Sequence, residues 1–239
     1  MRMPDWLATF DPDFAGAIAA RLNPTPGRRV AVFDADGTLW YDDIGEAFAR
    51  WLVAGDLLPG VDAAIFWDEY ERRVSESRID GYTWVVQLMA GMAEADVDLW
   101  CRQLAAAWAN YRPGMKALIA GLQAEGFETW ICSASNRWIV RATAAAVGIP
   151  EHQVLGIETQ VVDGKLTTRP VYPRPCNQGK VDAIQKHIGV MPVFAFGDSM
   201  GDFEMLAYAE QPLVVGRRDH RDNELVRQAP GRGWPVHRF

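Results

Sequence analysis

Residues 30–33 read Val-Ala-Val-Phe, and the chain then turns at once into Asp34-Ala35-Asp36-Gly37-Thr38. An apolar run with no polar alternation leaves no face for water, so it reads as a strand buried on both sides, as in the middle of a parallel sheet. Such a strand has no reason of its own to stop on carboxylates. The construction recurs at residues 193–196, Val-Phe-Ala-Phe, where Gly197 breaks the run and Asp198 and Asp202 follow. Strands of this kind need helices over both faces of their sheet. An α/β protein gathers its ligands at the carboxyl ends of those strands.

The rest of the outer chain alternates in the same way. RRVAVFD is the first strand, and a helix over RPGMKALIAGLQAEG closes at Gly126 and leads into a second strand, FETWICSAS. Residues 136–147 read as a helix that stops at Gly148. VLGIETQVVDGKLTT carries Asp163-Gly164 between alternating residues, which predicts a hairpin. Pro170, Pro173 and Pro175 make the next segment extended. Asn177 is placed to cap a helix over GKVDAIQKHIG. A strand MPVFAFGD, a helix from near Asp202 and a last strand PLVVG end the series. The middle differs: between Asp42 and Asn110 there are four helical stretches and no strand, broken at Gly, Pro and Asp. We therefore expect a Rossmann-like, mostly parallel α/β core with helices on both faces, formed by residues 1–41 and 111–239, and a small all-helical cap inserted as residues 42–110.

Composition narrows the function. At 239 residues and 49% hydrophobic the chain can bury a sizeable core, and its net charge of −7 disfavours a binder of nucleic acid backbones. No apolar run reaches transmembrane length, and Pro4, Asp5, Asp11 and Asp13 interrupt the amino terminus, so no secretory leader is read there. A cytoplasmic protein without membrane contact, monomer or homodimer, is the expectation. Cys101, Cys132 and Cys176 have no CxxC spacing, and His152, His187, His220 and His237 are far apart, so neither zinc ligation nor a disulfide framework is indicated. Only Lys116, Lys165, Lys180 and Lys186 among the 24 basic residues are lysines.

If the two acid-terminated strands are parallel neighbours, Asp34, Asp36, Asp198 and Asp202 converge. Carboxylates at close quarters repel one another and shift toward protonation unless a cation offsets them, and Mg2+ is the hard, oxygen-seeking choice. An EF-hand calcium loop is excluded, because Thr38, Leu39 and Gly45 occupy the positions that need an oxygen donor, Gly and Glu. The simpler alternative, that Asp36-Gly37 is only a turn, holds for the dipeptide alone. Ser133 and Ser135 follow the second strand, where serines also serve as ordinary caps. Lys180 lies in the first turn of its helix, against the macrodipole, which suggests an anion nearby unless its stem simply reaches water.

Taken together, DADGT, the Ser133 of ICSAS, Lys180 and GDSMGD, in that order and each at an element end, resemble the four motifs of the haloacid dehalogenase superfamily of phosphohydrolases. The likeness runs from about Arg29 to Gly216 and looks most like the phosphoserine phosphatase branch. It implies an Mg2+-dependent phosphatase of a small phosphorylated metabolite, with Asp34 as nucleophile forming an aspartyl-phosphate and Asp36 as acid/base. The resemblance places the metal on the Asp34 carboxylate, the Asp36 carbonyl and Asp198, and the phosphate on Lys180, Ser133 and amides near Gly37 and Ala134, with Asp202 orienting Lys180 or the metal's water. Asp36 disfavours a dehalogenase, which needs neither a second aspartate nor a metal. Gly201 departs from the asparagine usual in phosphoserine phosphatases, leaving the exact subfamily open.

The same resemblance assigns substrate contacts to the cap: Asp43 and Glu46 to an amine, and Arg73, with Arg78 as its rival, to a carboxylate. The plainer reading is that Asp43 caps its helix and Arg73 is solvated. Trp51, Trp67, Trp84, Trp100 and Trp108 are expected mostly as core, with a cage for a phosphocholine-type substrate as a variant. Other readings are phosphotransfer to a second alcohol and a non-catalytic phospho-ligand binding module.

Overall fold

The two acid-terminated strands lie side by side. In the computed structural model, which describes residues 3–23, 26–219 and 221–239 and so leaves His220 outside, helix α1 (Pro12–Ala19) precedes strand β1 (Arg29–Phe33). Four helices follow: α2 (Ile44–Ala54), α3 (Phe66–Glu76), α4 (Arg78–Gln87) and α5 (Glu94–Ala107). Next come α6 (Met115–Ala124), β2 (Phe127–Asn136), α7 (Arg137–Ala144), β3 (Val154–Ile157), β4 (Thr159–Val162), β5 (Lys165–Pro170) and α8 (Gln178–His187). The order ends with β6 (Phe194–Gly197), α9 (Phe203–Tyr208), β7 (Gln211–Gly216), α10 (Glu224–Gln228) and β8 (Val236–Arg238).

Six strands form one sheet in the order β3-β2-β1-β6-β7-β8, all neighbours parallel. The chain steps outward from β1 to β3 on one side and from β6 to β8 on the other. The direction reverses between β1 and β6, which is where an open α/β sheet leaves a crevice.

Both faces are packed, as the unalternated apolar runs require. Ala31, Phe33, Phe194 and Phe196 pack with α1, α6 and α7, while Val30, Val32 and Ala195 pack with α8, α9 and α10. The Phe33 and Phe196 rings stack at 4.3 Å between centroids, locking β1 to β6 beneath the crevice. Burying such side chains stabilises by about 1.5–3 kcal/mol each. In α2, Ile44, Phe48 and Leu52 recur at helical spacing and face the same core as Ala31 and Phe33 of β1.

Several local expectations need correction. VLGIETQVVDGKLTT is not one hairpin: Val154–Ile157 joins the main sheet beside β2, and the hairpin proper is β4 with β5. Its turn matches the expectation, with Asp163 (φ 51°) and Gly164 (φ 73°) both left-handed. This hairpin docks on the connection between α4 and α5, where Gly91 N donates to Leu166 O (2.8 Å) and Leu166 N to Met92 O (3.0 Å). Asn177 stands at the start of α8 but makes no side-chain cap; its backbone takes φ 50° instead. PLVVG is not the last strand, since β8 pairs beyond it.

Candidate active site

The site grows from the β1–β6 seam. Asp34 N donates to Phe196 O (2.8 Å), carrying the strand pairing one residue past β1 and setting Asp34 beside the loop that holds Asp198. Gly37 makes this approach possible. Its φ is +81°, and a Cβ there would lie 2.2 Å from Asp198 Oδ2, so only glycine fits both the turn and the neighbour.

Lys180 is turned inward from the first turn of α8, with 2% of its surface exposed. Its Nζ donates to Asp34 Oδ1 (2.6 Å) and to Asp202 Oδ1 (2.5 Å). Asp202 is itself fixed from behind, its Oδ2 accepting from Asp198 N (3.1 Å), Ser199 N (3.0 Å) and Ser199 Oγ (3.2 Å). The misfit of a lysine with the α8 dipole is thus compensated by two carboxylates.

Asp34, Asp198 and Asp202 each offer a carboxylate oxygen within 4.8 Å of the others. Burial and the Asp202 charge push the Asp34 carboxyl up to about 7. Burial, with Asp202 and Asp34, also holds Asp198 well above the ordinary range. For Lys180, burial favours loss of the proton, but the two aspartates outweigh it and raise the group. One ammonium does not neutralise three carboxylates. The set is all hard oxygen with an excess of negative charge, which fits a divalent cation such as Mg2+.

Asp36 points elsewhere. Its Oδ1 accepts from Trp40 Nε1 (2.7 Å) and Ile44 N (2.7 Å), and its Oδ2 from Ser135 Oγ (2.6 Å). Burial raises this carboxyl, against the pull of those donors. Ser133 is 1% exposed, and its Oγ accepts from Ser135 N (3.0 Å), closing the turn after β2.

A cavity of about 200 Å3 opens over these groups. Its floor includes Asp34, Asp36, Ser133, Ala134, Lys180, Asp198 and Asp202; its opposite wall, from α2, α3 and α4, presents Asp43, Glu46, Trp67, Tyr70, Arg78 and Tyr82. Gly37 is not in the lining; it backs Asp198 instead. Asp43 both lines the cavity and caps α2, its Oδ1 accepting from Glu46 N (2.7 Å), and burial beside Asp36 raises it well above its usual range. Tyr70 OH donates to Glu46 Oε1 (3.1 Å).

Arg73 is not brought to the cavity. Its Nε is tied to Glu69 Oε1 (2.6 Å) one turn earlier and its guanidinium lies 4.8 Å from the Trp84 ring centroid, so Arg78 is the arginine that lines the wall. Of the five tryptophans between residues 51 and 108, all half-buried, only Trp67 reaches the lining, and Arg50 covers one of its faces at 3.7 Å. That occupied face counts against a quaternary-ammonium cage.

Sequence reasoning missed Arg112. This buried guanidinium donates from Nε to Gly37 O (2.7 Å) and lies 4.5 Å and 5.1 Å from the Tyr41 and Phe239 ring centroids. Burial lowers its pKa and the nearby Asp198 opposes that. In the sequence it is an ordinary arginine before Pro-Gly, and no signal marked it. Trp40, fully buried with its indole on Asp36, likewise carries no mark in the sequence that distinguishes it from a core tryptophan.

A parallel sheet that gathers buried carboxylates, a buried lysine and a strand-end serine at its reversal point is an arrangement suited to phosphoryl chemistry. A family model for haloacid dehalogenase-like hydrolase matches residues 31–207. The chain belongs to that family, in its phosphoserine phosphatase-like branch, and is a phosphatase. It is 21% identical over 226 residues to a histidinol-phosphatase of Neisseria meningitidis serogroup C (strain 8013), covering 89% of this chain and 99% of that one. It is also 27% identical over 200 residues to a phosphoserine phosphatase of Streptomyces coelicolor, covering 78% of this chain and 45% of that enzyme's length. The fold is shared with a phosphoserine phosphohydrolase-like protein from Francisella tularensis (TM-score 0.60, 19% identity, 87% of this chain and 94% of that one). Among the described residues no helix is long and apolar enough to cross a membrane.

Proposed function

We propose that this phosphatase hydrolyses the phosphate monoester of a small amine-bearing alcohol or amino acid. One observation carries the head-group assignment: the wall facing the phosphate pole bears two carboxylates, Asp43 and Glu46, beside Tyr70 and Tyr82, with Arg78 as the one cationic side chain among the described residues of that wall. Acidic groups beside aromatic faces favour an ammonium or a protonated ring over a sugar. Histidinol phosphate and phosphoserine, which the relatives' names suggest, both carry an amine. They differ in a carboxylate, for which Arg78 is the available partner.

In this reading a carboxylate oxygen of Asp34 attacks phosphorus, the ester bond breaks, and Asp36 gives its proton to the departing alcohol. Asp36 then takes a proton from the water that hydrolyses the aspartyl-phosphate. Lys180 and Ser133, with the amide of Ala134, bind phosphoryl oxygens, and Asp202 keeps Lys180 in place. Asp34, Asp198 and the Asp36 carbonyl would hold Mg2+, which when bound supplies charge neutralisation for the phosphoryl group.

The test is phosphate release by the purified protein with Mg2+ from a panel of phosphorylated amino alcohols, amino acids, sugars and nucleotides. Amine-bearing monoesters are expected to give the highest kcat/KM, and Asp34→Asn to abolish turnover without unfolding the protein. Preference for sugar or nucleotide phosphates would overturn the head-group assignment; turnover retained in Asp34→Asn would overturn the nucleophile.

A further inference from the structure

We infer that Trp40 and Ser135 are positioning residues for proton transfer from Asp36, holding its carboxyl so that one chosen oxygen faces the leaving group. The inference rests on the acid role proposed for Asp36. Three donors from three places in the fold meet on this one carboxylate: the indole of Trp40, the amide of Ile44 at the start of α2, and the hydroxyl of Ser135 at the end of β2. They are not distributed evenly. Oδ1 takes both Trp40 and Ile44, neither of which lines the cavity, while Oδ2 takes Ser135, which does. Oδ1 is therefore the anchored oxygen and Oδ2 the one presented to substrate.

The indole is suited to anchoring. Trp40 is fully buried, its ring meeting Tyr111 edge-on at 6.2 Å, so it has no rotameric freedom to follow a moving carboxylate. Its N–H is a donor only, and once buried must find an acceptor. Rotating Asp36 away would leave that N–H unpaired at a cost of about 1–3 kcal/mol. Ser135 differs, because a hydroxyl both donates and accepts. With Asp36 ionised it donates to Oδ2; with Asp36 protonated on Oδ2 it accepts. The transfer balances without another reactant: the Asp34 oxygen bonds to phosphorus, the bond from phosphorus to the leaving oxygen breaks, that oxygen takes the Oδ2 proton, and Ser135 turns to donate to the new carboxylate. The room is tight, since a Cβ on Gly45 of α2 would lie 2.9 Å from Ser135 Oγ. The hydroxyl is held between the core and the helical wall.

This predicts a dependence on leaving group that simple loss of structure would not produce. Phenyl phosphate and p-nitrophenyl phosphate are alike in shape, but only the first has a leaving oxygen basic enough to need a proton. kcat/KM reports the steps up to the first irreversible one and so isolates transfer to Asp34. Trp40→Phe keeps the packing and deletes the N–H. It should lower kcat/KM for phenyl phosphate by about tenfold or more and for p-nitrophenyl phosphate by less than about threefold, within what a positioned general acid contributes. Asp36→Asn, run in parallel, should show the same split in a larger form. If Asp36→Asn shows the split and Trp40→Phe lowers both substrates equally or neither, the positioning role of Trp40 is wrong while the acid role stands. If Asp36→Asn shows no split, the acid role fails and takes this inference with it. Should Trp40→Phe fail to fold, Ser135→Ala makes the same comparison, with the same split between the two substrates expected and an equal loss on both, or none, counting against the inference.

Discussion

Asp202 never has to touch substrate in this scheme, yet its replacement by asparagine should be among the more damaging isosteric changes in the protein. The side chain is 1% exposed and fully used: Oδ1 accepts from Lys180, and Oδ2 accepts from Asp198 N, Ser199 N and Ser199 Oγ. An amide has one oxygen and one NH2. With the oxygen toward the Ser199 loop, the NH2 opposes the Lys180 ammonium; with the oxygen toward Lys180, the NH2 meets two backbone N–H groups that then have no acceptor, and only the Ser199 hydroxyl can turn to accept from it. The first arrangement is the less costly, and it forfeits one hydrogen bond between charged groups, about 1.5–3 kcal/mol. Lys180 keeps Asp34 at 2.6 Å, so the loss stays near or below the low end of the roughly 3–5 kcal/mol seen when a buried pair loses a partner outright. We therefore expect about 3 kcal/mol at saturating Mg2+, or about 6–12 °C in Tm for a chain of this size. Without metal the penalty should shrink, because removing one carboxylate also relieves the repulsion that raises Asp34 and Asp198. Urea unfolding of both proteins, with Mg2+ and with EDTA, reads both quantities. A penalty below about 1 kcal/mol with Mg2+, or one that grows in EDTA, would refute the reasoning.

Further outcomes follow from the same cluster. Folding raises Asp34 from 3.8 to about 7, so the native state holds a proton that the unfolded chain has shed between those values. The metal-free protein should lose stability as pH rises through that window, and saturating Mg2+ should flatten the dependence, as denaturant midpoints across pH would show. EDTA should stop turnover reversibly, and Mg2+ at a hundred times its Kd should stabilise the fold by about 2.7 kcal/mol in a thermal scan. Gly37→Ala combines a left-handed backbone with a Cβ 2.2 Å from Asp198 Oδ2. Its backbone penalty alone is about 1–2 kcal/mol, and we expect activity to fall further than stability, since Asp198 must move; activity unchanged beside a measurable Tm loss would argue against Asp198 in the site.

The sequence by itself determined the sheet's centre and the acidic residues gathered at its edge. Residues 30–33 and 194–196 are apolar without alternation, which only a strand covered on both faces satisfies, and the carboxylates that follow have nowhere to go but the strand ends. Lys180 was legible for a related reason, as a charge set against its helix dipole. Short elements were not legible: β8 is three residues long and owes its existence to β7 beside it. Nor was the split of VLGIETQVVDGKLTT, because alternation is the same for a hairpin strand and for one that pairs elsewhere. The helical wall shows the limit most clearly. The resemblance offered both Arg73 and Arg78 for a substrate anion, and what kept Arg73 from the cavity was Glu69 one turn before it, together with the Trp84 ring beside it. Trp40 on Asp36 and Arg112 on Gly37 were decided by packing alone. Local pattern records whether a residue prefers water or a core, whereas the partner of a buried donor is set by which acceptor the assembled fold places within about 3 Å of it.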